Sequence, residues 1–149
     1  MFTPLQAKVN MRSNIPEGEK GMAKLVIPSA MQASYDNFHF APAQIENGVL
    51  YASGQLGTGP DGKIPESAED EFRLAWQSVG AILQEAGLDF SNIFEFTSYH
   101  VGLQANLGTF MKVKDEFIKQ PYPAWTAIGV SELAVPGARV EIRVRGKVA

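Results

Sequence analysis

A chain of 149 residues, 45% hydrophobic and 19% charged, has the size and composition of one folded domain with a single core, which excludes a disordered polymer and leaves no room for two cores. A formal net charge of −3 supplies no excess of positive potential, so nucleic acid is not the expected partner, and the absence of cysteine excludes disulfides, thiolate nucleophiles and sulfur-ligated zinc. No apolar run approaches the ~20 residues that span a bilayer and the N-terminus lacks a secretory apolar core, so no membrane association and a cytoplasmic location are expected.

Residues 1–21 are polar and unpatterned, and are expected to form a disordered leader or tag ahead of a single domain over residues 22–149. Lys24-Leu25-Val26-Ile27-Pro28 reads as a short strand. From Ala43 to Gln55 two extended pieces flank Glu46-Asn47-Gly48, and Asn-Gly tolerates the positive φ of a tight hairpin turn. After the loop Gly57 to Pro65, Ser67 is placed to cap a helix, with Asp70 three positions on. Phe72, Ala75, Trp76, Val79, Ile82, Leu83 and Ala86 then recur at helical spacing up to Gly87. Ile93 to Val101 is rich in β-branched and aromatic residues and reads as a central strand. A second helix carries the stripe Leu107, Phe110, Val113 and Phe117, with Asn106 as its expected cap and Pro121 and Pro123 beyond its end. Trp125 to Val130 is extended, and Val140, Ile142 and Val144 alternate with Glu141, Arg143 and Arg145, which makes a strand with one apolar and one charged face.

The order ββ–α–β–α–ββ gives an α/β domain in which one sheet carries both helices on one face. The other face then has no cover within the chain. Tyr99 and Trp125 are expected to lie exposed there unless a second subunit packs on them, which points to a symmetric homo-oligomer with small-molecule pockets at the subunit boundaries.

Four segments occur in order and at plausible spacing: Leu50-Tyr51-Ala52-Ser53-Gly54-Gln55 after the hairpin, Ala81 to Gly87 at the end of the first helix, Tyr122-Pro123-Ala124 before a strand, and Val140-Glu141-Ile142 in the last one. Together they resemble the Rid family, the YjgF-type reactive intermediate deaminases, over roughly Pro28 to the C-terminus. The resemblance implies a chorismate-mutase-like homotrimer with three clefts between subunits. It also implies hydrolysis of reactive enamines and imines to 2-keto acids and ammonia, without a cofactor. In the family a glutamate on the last strand positions the attacking water, and this matches Glu141. The family's arginine directly after Pro-Ala, which grips the substrate carboxylate as a fork, is replaced here by Trp125. By the same alignment Ala127 stands at a small-residue position, Phe40 at a tyrosine and Lys114 at an asparagine, while Ser53 and Gly54 persist.

The residues also admit readings of their own. Glu141 lies on the charged face of its strand, where a solvated carboxylate is the ordinary explanation and a general base the functional one. Trp125 is either core or a flat apolar wall that stacks on a ligand or a cation. Ser53 with Gly54 either ends a strand or offers a hydroxyl and backbone N–H groups to an anion. His100 is either a hydrogen-bonded strand residue or part of a pocket wall, and His100 with His39 makes no metal motif, so no metal is expected. Lys114 belongs to a solvated helix face or replaces the missing cation; Arg139, Arg143 and Arg145 are further candidate cations that the strand pattern does not place. The expected function is hydrolytic deamination of a small imine, enamine or related C–N compound with altered specificity. A non-catalytic metabolite-binding or regulatory trimer is the alternative. An endoribonuclease, a label carried by some family members, fits poorly with the acidic balance.

Overall fold

The computed structural model describes residues 23–148. The leader expected over residues 1–21 lies outside the described residues. In chain order the elements are β1 (Ala23–Val26), a 3-10 turn (Ser29–Met31), α1 (Gln32–Phe38), β2 (Ala43–Glu46), β3 (Val49–Ala52), β4 (Gln55–Leu56), α2 (Ala68–Glu85), a 3-10 turn (Phe90–Asn92), β5 (Ile93–His100), α3 (Leu103–Phe117), β6 (Ala124–Gly129) and β7 (Val140–Lys147).

The hairpin forms where the Asn-Gly pair places it. Asn47 and Gly48 adopt φ of 51° and 75°, and Glu46 pairs directly with Val49 across the two-residue loop. The capping serine also behaves as its position demands: Ser67 Oγ accepts the Asp70 N–H at 3.2 Å, and three acidic residues fill the first turn of α2, where the helix dipole favours them. Gly87 leaves the helix at φ 74°.

All strands join one seven-stranded sheet with the path β1-β2-β3-β7-β5-β6, and β4 pairs with β7. Only β5 and β6 run parallel, linked by the crossover through α3. The order brings the two chain-distant strands β5 and β7 to the middle of the molecule. On β7 the alternation read from sequence holds: Val140, Ile142 and Val144 are buried under the helices, and Glu141, Arg143 and Arg145 project from the open face. The core lies between sheet and helices. Trp76 is wholly buried in it, with Phe90, Phe96, Phe110 and Phe117 around its ring at centroid distances of 5.2 to 6.3 Å. The wholly buried Glu71 ties α2 to β7. Its carboxylate accepts the backbone N–H and the guanidinium of Arg139, each at 2.6 Å, and Arg139 also donates to the carbonyls of Pro65 and Glu66. Among the described residues no helix is long and apolar enough to cross a membrane.

Three expectations are corrected. Helix α1 buries no residue, so it leaves no apolar periodicity to read in the sequence. Asn106 is not the cap of α3: the helix starts at Leu103 after a left-handed Gly102, and the Asn106 amide donates back to the Gly102 carbonyl at 3.1 Å. Trp125 does not lie on the open face with Tyr99. It pairs in register with Phe96, whose side chain is buried under the helices, so the two rings share that side of the sheet.

Candidate functional site

Strands β3 and β4 are one strand interrupted by a bulge. Tyr51 pairs with Arg145 and Gln55 with Ile142, so the three residues Ala52, Ser53 and Gly54 lie opposite only two, Arg143 and Val144. The local bonds hold this kink in place. Ser53 Oγ donates to the Ala41 carbonyl at 2.7 Å, Ser53 N–H donates to the Pro42 carbonyl at 2.8 Å, and the Gln55 amide donates to the Ser53 carbonyl at 3.1 Å. The Ser53 hydroxyl proton is therefore spent on the backbone, while its oxygen still has accepting capacity. The same bonds draw in the segment that carries Phe40, whose ring is 45% exposed.

Glu141 stands on β7 across from Leu56 of β4 and Tyr99 of β5. Its side chain lies over the α-carbon of Gly54. A Cβ at position 54 would collide with Glu141 Cδ and Oε2 and would lie 2.7 Å from Cγ. Glycine is required there by the carboxylate, not by backbone dihedrals. Ser53, Gly54 and Glu141 thus meet at one point on the open sheet face, where a depression is lined by Ala41, Gln44, Tyr51, Ser53, Gly54 and Arg143.

The other predicted residues gather on the opposite face. The Trp125 ring stacks on Phe96 at 5.6 Å and 13°, and its Nε1–H donates to Ser98 Oγ at 2.9 Å. Lys114 Nζ sits over the indole, 5.1 Å from the ring centroid, and pairs with Asp115 at 3.1 Å; only 13% of the lysine side chain is exposed. The cation stacked on Trp125 is therefore the chain's own. His100 is 1% exposed; its Nε2 lies 2.7 Å from Ser98 Oγ, and its Nδ1 has no partner among the described residues. Burial lowers its pKa below the usual 6.5, so it is held neutral. With Trp125 donating to Ser98 Oγ, the serine proton is directed to Nε2, which places the imidazole hydrogen on the unpartnered Nδ1. His100 supports Trp125 from behind and does not line a surface.

Ser98 was not singled out in the sequence, although a hydroxyl at the buried parity of an apolar strand, in Phe96-x-Ser98-x-His100, is a signal that such a group needs partners. Within one chain the sheet thus separates two groups: Ser53, Gly54 and Glu141 on the open face, with Phe40 beside them, and Trp125, Lys114 and His100 on the helix face.

Comparison with known proteins agrees with this layout. The profile of the endoribonuclease L-PSP family matches residues 31–147. The RutC family protein YjgH of Escherichia coli K12 is 34% identical over 124 residues, covering 83% of this chain and 93% of the relative. The 2-iminobutanoate/2-iminopropanoate deaminase of Bos taurus is 33% identical over 108 residues, covering 69% of this chain and 75% of that protein. The solved structure of protein YJGH superimposes with a TM-score of 0.77 at 32% identity, covering 85% of this chain and 97% of that one. By sequence and by the single helix-covered sheet, the chain belongs to the endoribonuclease L-PSP family, the Rid or YjgF group of proteins.

Proposed function

We propose that this protein is a hydrolytic deaminase of small imines, enamines or related C–N compounds, with Glu141 as the general base. The observation that carries this reading is the seat of the Glu141 carboxylate on Gly54, at a bulge that opens the sheet face beside it. A relative at 33% identity that is a 2-iminobutanoate/2-iminopropanoate deaminase supports the choice of chemistry. Water held by Glu141 adds to the imine carbon as its proton passes to the carboxylate. The carbinolamine then collapses, the C–N bond breaks, and Glu141 returns the proton to the nitrogen, which leaves as ammonia while the carbonyl forms. An enamine enters the same path after protonation at carbon.

The pocket in this reading needs two copies of the chain. Glu141 and Trp125 project from opposite faces of one sheet, so no single chain brings both to one ligand. The open face also carries the exposed apolar side chains Leu25, Tyr51 and Ile128, which a homotrimer would cover. One copy supplies Ser53, Gly54 and Glu141 with Phe40 at the rim; the neighbouring copy supplies the wall of Trp125 and Lys114, braced by His100 through Ser98. Because Trp125 stands where the family resemblance puts an arginine, and an indole cannot form a charge-assisted fork, substrate selection differs from ordinary 2-imino acid deamination. The same neutral residue favours the second reading, a trimer that binds a metabolite without converting it.

The test is release of ammonia and keto compound from freshly generated 2-iminobutanoate, 2-aminoacrylate and neutral imines. Native turnover that falls by about 10²- to 10⁴-fold in Glu141→Gln supports the deaminase. Silence across the panel, with keto compounds that still raise the melting temperature, overturns it in favour of the binding protein.

A further inference from the structure

We propose that Arg143 forms an anion-binding subsite that holds a small monocarboxylate against the Ser53–Gly54 bulge. The argument starts from what each basic side chain already holds. Arg139 is committed to Glu71 and to the carbonyls of Pro65 and Glu66. Arg73 is committed to Glu69 and Glu116, and Lys114 to Asp115 and the Trp125 ring. Arg145 lies 3.6 Å from the Glu95 carboxylate and over the Tyr51 ring. Arg143 has no hydrogen bond or ion pair among the described residues. It is exposed, stands opposite the bulge, and lines the depression with Ser53, Gly54, Gln44 and Tyr51.

Its place relative to Glu141 gives the subsite its span. The two residues alternate on one strand with Ile142 between them, so their side chains leave the same face about 7 Å apart. They do not pair with each other, which leaves the interval for a ligand. A guanidinium grips a carboxylate through two parallel N–H donors, and the atom next to that carboxylate then faces Glu141. A small 2-oxo or 2-imino acid has this length. The assignment of the reacting carbon rests on the deaminase reading; the anion site itself does not.

The experiment titrates the full-length protein with 2-oxobutanoate and with butanone, its neutral counterpart, by NMR, and measures oligomer mass by light scattering. Native protein, Arg143→Gln, Arg143→Lys, Arg145→Gln and Lys114→Met are compared. Arg143→Gln is expected to weaken 2-oxobutanoate at least about tenfold and to leave butanone unchanged. Arg143→Lys recovers part of the loss, since it keeps the charge without the fork, and Arg145→Gln stays within about twofold. No binding to the native chain, unchanged binding in Arg143→Gln, or a loss that follows Lys114→Met instead overturns the proposal. So does a drop in oligomer mass in Arg143→Gln, which would make the arginine a partner for a second copy. Binding that depends on Arg143 without any ammonia release removes the deaminase and leaves the subsite standing.

Discussion

His100 shows how one buried residue couples the core to a surface wall. Its imidazole touches Phe110 edge-on at 4.7 Å and meets Ser98, which in turn orients the Trp125 indole. Burial lowers the pKa of His100 in the folded chain below its ordinary 6.5. The unfolded chain therefore takes up a proton that the folded chain refuses as pH falls below about 6.5, and stability drops until the lowered folded value is reached. Above pH 6.5 the residue makes no such contribution. Urea melts at pH 7.5 and pH 5.5 are expected to show less stability at the lower pH, with His100→Gln shrinking the difference. An unchanged pH dependence in that variant would contradict this account.

At the scale of elements, the parts that bury an apolar stripe could be read from sequence. The stripe of α2 from Phe72 to Leu83 and the alternation on β7 state their faces outright, because burial selects apolar side chains at a fixed period. The hairpin was legible for a different reason, the positive φ that Asn47 and Gly48 accept. Helix α1 was not, since it buries nothing, and the face of Trp125 was not, since parity on β6 is fixed by its register with Phe96 across a 23-residue gap in the chain. The bulge was half legible. Ser53-Gly54 was a visible marker, but that Gly54 is the floor under Glu141 depends on a pairing between distant strands. Gly54→Ala is therefore expected to cost about 1–3 kcal/mol of stability by overpacking and to reduce turnover at least tenfold by displacing the carboxylate. In a Glu141→Ala background the same change is expected to cost little stability. A Gly54→Ala protein as stable and active as the native chain would remove the steric argument.

On the scale of the whole molecule, a sheet covered on one side divides the candidate residues between two faces, and a complete pocket then requires a second copy. The central claim is that Glu141 of one copy acts on a ligand walled by Trp125 of another. The most direct measurement is ammonia release from a freshly generated imine by two inactive chains, alone and refolded together. One chain carries Glu141→Gln; the other carries Ala127→Trp, which fills the space beside Trp125. Each alone is expected to be silent, and the co-refolded mixture is expected to regain turnover, because some clefts then combine an intact Glu141 with an intact wall. A mixture as silent as its parts, with mixed oligomers present and the native chain active, would contradict the account.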